Sequence, residues 1–194
     1  IEDEYDSELR LNGKPIPSLQ SIDVSGKVIY MNTFSKTMVP SLRISYMVLP
    51  VDILERYKET MSFYSCTVSS FEQYALARFI SGGYFERHIN RIKNYYKKLR
   101  VQIINAIRES SIGEISEIVE HHSGTHFLLK VKTDLSEEEI NEKCLENDLH
   151  ILTYADYIKD DTDSDKSMTL VINYAGINPE RIDDVIKRIE RVFE

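Results

Sequence analysis

Cysteine, basic charge and long apolar runs are all scarce in this sequence, and each shortage closes off a class of protein. Cys66 and Cys144 are its two cysteines. They form no ligand-spaced cluster and no disulfide framework, and they point to a reducing compartment. Lysine and arginine number 24 against 32 aspartates and glutamates, a formal net charge of -8. Neutralising nucleic-acid phosphates needs a basic face, so this segment is not expected to bind nucleic acid itself. No apolar run approaches the roughly 20 residues that span a bilayer, and no signal peptide opens the chain. What is present suffices for one domain or two small ones: 194 residues, 42% of them hydrophobic. The first residue is Ile1, and IEDEYD reads as the end of a buried strand rather than a start, so the sequence reads as a piece of a longer protein.

Periodicity divides the chain in two. Residues 1–5 are short, acidic and strand-terminal, and Asn12-Gly13 with Pro15 and Pro17 marks an irregular loop. After Pro50, Ile53, Tyr57 and Met61 recur at helical spacing, and Ser69 with Glu72 forms a capping box that opens a helix over Phe71–Ile80. Beyond Gly82-Gly83, the residues Phe85, Ile89, Ile92, Tyr96, Leu99, Ile103 and Ile107 make one stripe on a long helix. A coiled coil fits the same stripe, but the flanking strands favour a helix packed along a globular body. Strands are then expected over Ile115–Val119 and Phe127–Val131 around the turn at residues 122–124. A helix capped by Ser136 and Glu139 runs to about Asn147, and further strands cover Leu149–Thr153 and Met168–Tyr174. Asn178-Pro179 starts a last helix with Ile182, Val185, Ile186, Ile189 and Phe193 on its buried side. The first region alternates strand and helix like a parallel α/β sheet, and the second is a compact α+β unit.

Residues 28–50, VIYMNTFSKTMVPSLRISYMVLP, carry the chemistry. A short strand (Val28–Met31) leads into a polar loop, and a second β-rich run (Ile44–Leu49) is stopped by Pro50. Thr33, Ser35, Lys36 and Arg43 lie between. A lysine among hydroxyls, seven residues before an arginine, is a candidate anchor for an anionic, carbonyl-bearing group; the plainer reading is a solvated loop lysine.

Together IEDEYDSE, PIPSLQS and the TFSK-containing stretch resemble the pyridoxal-phosphate-dependent transferases of the aspartate aminotransferase fold. More closely, they resemble the aminotransferase-like domain of the MocR subgroup of GntR-type bacterial regulators. The resemblance runs on through FEQYALARFISGGYFERHINRIKNYYKKLR and SGTHFLL to the last helix. It implies an α/β fold: the C-terminal part of a large pyridoxal-phosphate-binding domain over residues 1–95, and a small α+β domain over 96–194, joined by the long helix.

By that resemblance Lys36 is the catalytic lysine, forming a Schiff base with pyridoxal 5'-phosphate. An imine needs an amine that can be neutral, and burial beside cationic groups favours this. Asp3 pairs with the pyridine nitrogen, and Tyr5, two residues along the same strand, hydrogen-bonds the ring oxygen. Arg43 clamps the phosphate. Thr33 and Ser35 add hydroxyls to it. Taken singly, Asp3 and Tyr5 also read as strand-end caps, Arg43 as a surface ion pair and Thr33 as a turn residue.

The resemblance also implies a cytoplasmic homodimer that senses an amine or amino acid and reaches DNA through a winged-helix domain outside this chain. Two departures qualify it. Val171 stands where amino-acid-handling members carry a carboxylate-binding arginine, unless the alignment slips there. The phosphate loop, the aromatic that stacks on the ring and the asparagine near the ring oxygen are expected upstream of Ile1. His126, in Gly124-Thr125-His126, reads either as an effector-facing or as a structural histidine. His121, His122 and His126 lack the carboxylate or cysteine that would complete a metal set, and the acidic loop at 160–165 lacks the glycine and glutamate of a calcium loop. Three functions follow: a regulatory sensing domain, a true aminotransferase, or a fragment that binds no cofactor by itself.

Overall fold

The computed structural model describes residues 1–4, 6–11, 16–119, 124–153 and 167–194. The chain forms two compact units, Ile1–Lys93 and Asn94–Glu194.

In the first unit a mixed three-stranded sheet has the order β1 (Glu2–Glu4), β2 (Tyr30–Thr33), β3 (Ser45–Val48). β1 runs parallel to β2, with Asp3 opposite Met31, and β3 returns antiparallel, with Thr33 opposite Ser45. The sheet is thus not purely parallel, because the loop after β2 folds straight back into its neighbour. β2 also begins two residues later than the apolar pattern predicts. The Asp23 carboxylate takes the N–H groups of Lys27 (2.6 Å) and Val28 (2.7 Å), which removes Val28 from the ladder; these bonds hold Asp23 well below the usual carboxylate range. The short helix α1 (Leu19–Ile22) starts on Glu2, whose carboxylate accepts the N–H groups of Leu19 and Gln20 and so ties α1 to β1.

Helices α2 (Val51–Met61) and α3 (Ser70–Ser81) follow, the latter opened by the expected Ser69–Glu72 capping box. Gly83 takes a positive φ of 67°, open to glycine at little cost, and separates α3 from the 26-residue α4 (Tyr84–Glu109). Neither α2, α3 nor β3 buries a residue, and Phe71 and Tyr74 are largely exposed. Among the described residues no helix is long and apolar enough to cross a membrane.

The second unit holds the better-closed core. Its antiparallel sheet has the order β4 (Ser116–Val119), β5 (His126–Lys132), β7 (Ser167–Asn173), β6 (Leu152–Thr153). Strand alternation puts Phe127, Leu129, Val131, Leu170 and Ile172 on the buried face. Leu99, Ile103 and Ile107 of α4 are also buried, as the stripe predicts. So are Ile140 and Cys144 of α6 (Glu137–Glu146), whose capping box is again the expected one. Burial pushes the Cys144 thiol upward, away from ionisation. α7 (Ile182–Phe193) follows a short 3-10 turn over Pro179–Arg181 and buries Ile182, Ile186, Ile189 and Val192. Val192 replaces the expected Phe193 on that side, and Val185 is only half-buried.

Residues 111–115, read in part as strand, instead form a turn of helix, α5 (Ser111–Ile115). Both Ser111 donors bond one Glu190 oxygen on α7, at 2.9 Å from N–H and 2.8 Å from the hydroxyl. These bonds hold Glu190 below its ordinary value of 4.5. Its contribution to stability is therefore complete above that value and is lost as pH falls through the lowered folded value. Glu190→Gln is expected to lower the stability of the second unit at neutral pH, with the difference from wild type shrinking below about pH 4, as read from urea denaturation across pH. The acidic loop at 160–165, the turn at 122–123 and His121 and His122 lie outside the described residues.

Candidate functional site

Phe34–Ile44 forms a loop between β2 and β3 whose neck is closed twice on one carbonyl. The Phe34 N–H (2.9 Å) and the Thr33 hydroxyl (3.2 Å) both donate to the Ile44 oxygen. Inside the loop Phe34 packs between Tyr46 and Phe85, with ring centroids 5.4 and 5.8 Å away. Thr37 is buried, its hydroxyl on the Phe34 carbonyl. With Phe34 and Thr37 turned inward, Lys36 is left exposed at the turn. The Thr33 and Ser35 hydroxyls lie 3.2 Å apart, and the Ser35 N–H also donates to the Thr33 hydroxyl.

Arg43 follows the 3-10 turn over Pro40–Leu42 and takes a left-handed backbone, φ 48° and ψ 34°. That region is costly for a residue with a Cβ. Its side chain is exposed. Arg43→Gly is expected to stabilise the first unit by about 1 kcal/mol relative to Arg43→Ala in thermal denaturation, since only glycine relieves the backbone. Both variants lose the guanidinium.

Asp3 lies on β1 opposite Met31, so alternation places it on the same sheet face as Thr33. Tyr5 lies outside the described residues. The lysine's expected burial is not met within this chain: Lys36, Asp3 and Arg43 are all exposed. The donor set nonetheless suits the expected cofactor. Two hydroxyls and a guanidinium are donors for phosphate oxygens, an amine suits an aldehyde, and a carboxylate on the Thr33 face suits a protonated ring nitrogen.

The opposite face of the sheet carries a network that sequence reading missed. Asn32 is buried, 3% exposed, and its amide donates to Glu8 (3.0 Å) and to the Tyr30 hydroxyl (2.9 Å), while its carbonyl accepts the Thr33 N–H (2.5 Å). Tyr46, beside Tyr30, is pushed up to about 12, first by burial and then by Tyr30. The sequence pattern ends the strand at Met31 and leaves Asn32 in the polar loop, and Glu8, 24 residues away, gives no local signal.

In the second unit Val171 pairs with Leu128 on one side and Leu152 on the other, and Leu128 pairs in turn with Val119. An aliphatic row therefore crosses the open face at the position where an arginine was looked for. His126, half-buried, lies opposite Asn173 on the same face. Among the described residues no group of three or more His, Cys, Asp or Glu is placed to hold a metal ion.

Comparison with known proteins agrees with the sequence resemblance. The uncharacterized HTH-type transcriptional regulator YdeL of Bacillus subtilis (strain 168) is 37% identical over the whole chain, which covers 41% of that protein. The probable rhizopine catabolism regulatory protein MocR of Rhizobium meliloti is 31% identical over the whole chain, which covers 38% of it. Among solved structures, the kynurenine aminotransferase of Pyrococcus horikoshii, in complex with PMP, matches with a TM-score of 0.77 and 27% identity over 98% of this chain and 46% of its own. The chain thus spans about two fifths of the length of these curated relatives. The family described as aminotransferase class I and II matches residues 8–189, and the chain belongs to that family.

Proposed function

We propose that this chain is part of the pyridoxal-phosphate-binding, aminotransferase-like effector domain of a bacterial transcriptional regulator. What carries this reading is similarity along the whole chain to a protein named as an HTH-type transcriptional regulator, at 37% identity, and to one named as a probable regulatory protein, at 31%. In it, Lys36 holds the cofactor as a Schiff base, which its exposed position on the loop allows. Arg43, with the paired hydroxyls of Thr33 and Ser35, binds the phosphate. Asp3, from the Thr33 face, pairs with the ring nitrogen, and Tyr5 with the ring oxygen. When bound, the cofactor supplies an electron sink toward an incoming amine.

Lys36 and Arg43 are exposed in this chain, so in this reading excluding water from the cofactor falls to groups outside it, a partner subunit among them. The division into a large-domain part over 1–95 and a small domain over 96–194 belongs to the same reading. So does a homodimer, which would cover part of the apolar surface of α2, α3 and β3. The sensed ligand is an amine or amino acid, and DNA is reached through a winged-helix domain outside this chain.

A second reading, an active aminotransferase, is favoured by the match to the kynurenine aminotransferase. Val171 weighs against it. A valine between Leu128 and Leu152 offers nothing to a substrate carboxylate. The deciding experiment uses the full-length protein loaded with cofactor and challenged with amines and amino acids. A change in DNA affinity without sustained formation of keto product supports the regulator; repeated turnover supports the enzyme and sinks the first reading.

A further inference from the structure

We infer that Asn32 is a positioning residue for the lysine loop, acting from the sheet face opposite the proposed cofactor partners. The inference rests on the proposed cofactor reading. Asn32 sits on β2 opposite Glu4 and Tyr46, whereas Asp3 and Thr33 occupy the other face, so Asn32 does not share their surface. A buried amide is costly unless its polar atoms are paired. Here both amide protons are used, on Glu8 and on the Tyr30 hydroxyl, and the carbonyl takes the Thr33 N–H.

Strand formation by itself does not ask for this residue, since asparagine is depleted in strands and a β-branched side chain fits better. What the network does is fix Thr33. The backbone of Thr33 is held by Asn32, and its hydroxyl meets Ser35 and the Ile44 carbonyl. Glu8, Asn32, Thr33 and Ser35 therefore form a continuous hydrogen-bonded chain that ends one residue before Lys36. Glu8 lies in the 3-10 turn Ser7–Leu9 just after β1, and Leu9 is buried, so the chain is anchored on a packed element. Behind metal ligands, partners of this kind matter by roughly 10- to 100-fold, and a site's supporting residues set its geometry in the same way elsewhere.

The test uses the full-length protein with pyridoxal phosphate as the probe. Affinity, the pH midpoint of the Lys36-bound cofactor's absorbance and the melting temperature are read for N32D, N32T and the pair N32D/E8Q. N32D sets a second carboxylate against Glu8, and is expected to weaken cofactor binding about tenfold and to move the pH midpoint. E8Q in the N32D background restores the donor–acceptor pair with roles exchanged, and is expected to recover most of the affinity. N32T keeps a good strand former while removing the amide, and is expected to lose affinity as N32D does; it answers the question should N32D not fold. Variants with lowered melting temperature but unchanged affinity and midpoint would make Asn32 merely structural and overturn the inference. A wild-type protein that never attaches the cofactor overturns it too, and is told apart because the underlying reading then fails before any variant is made.

Discussion

Lys36→Ala in the full-length protein is expected to abolish the absorbance of the lysine-bound cofactor while leaving the protein folded. The two halves of this expectation come from different observations. Loss of absorbance follows from chemistry: a Schiff base needs a primary amine, and no hydroxyl or guanidinium in the loop replaces it. Lys36→Arg is expected to fail equally, since a guanidinium stays charged at any working pH. Preserved folding follows from position. Lys36 is exposed, and Phe34, Thr37 and the bonds to the Ile44 carbonyl anchor the loop. A substitution at such a position changes stability by about 0.5 kcal/mol or less. The two readouts are the absorbance spectrum and circular dichroism on one sample. A variant that keeps the wild-type band, with circular dichroism unchanged, removes Lys36 from the chemistry and with it the cofactor reading. Some noncovalent affinity is expected to remain through Arg43 and Asp3.

Phe127→Ala is expected to destabilise the second unit by about 3–5 kcal/mol, a large share of the stability of a domain this size. Phe127 is 0% exposed and stacks on Tyr174, centroids 6.2 Å apart. Tyr174 is itself buried and bonded through its hydroxyl to the Gly124 carbonyl and through its N–H to the Thr125 carbonyl. Removing the ring leaves a cavity that these fixed neighbours cannot close. Leu128→Ala, one residue on but on the open face, serves as the control and is expected to cost much less. Denaturant melts of the two variants check this, and equal losses would mean that the alternation does not define the core.

The capping boxes at Ser69 and Ser136, the stripe on α4 and the buried strand at Phe127–Val131 were legible because their signals are local: spacing of three or four, alternation by two, and a polar cap three residues from its partner. The TFSK loop with Asp3 and Arg43 was legible through resemblance, because the same residue types recur at matching separations. Other features follow from partners distant in sequence. β2 starts at Tyr30 because Asp23 captures the N–H groups before it. Residues 111–115 turn helical where Glu190, 79 residues away, takes both Ser111 donors. Asn32, which the sequence pattern leaves in the loop after the strand, is part of β2 and buried, its amide meeting Glu8, 24 residues away, as well as the nearby Tyr30.

By itself, then, the sequence determined the order and type of most elements and which lysine, arginine and carboxylate to watch, since those depend on spacing along one chain. Only the tertiary structure decided that the first sheet is mixed, that Asp3 and Thr33 share a face, that Arg43 is held in a left-handed backbone and that Asn32 stands behind the loop. β1 pairs with β2 across segments far apart in sequence, and the return of β3 depends on how the loop after β2 folds, so neither follows from the periodicity of a single strand.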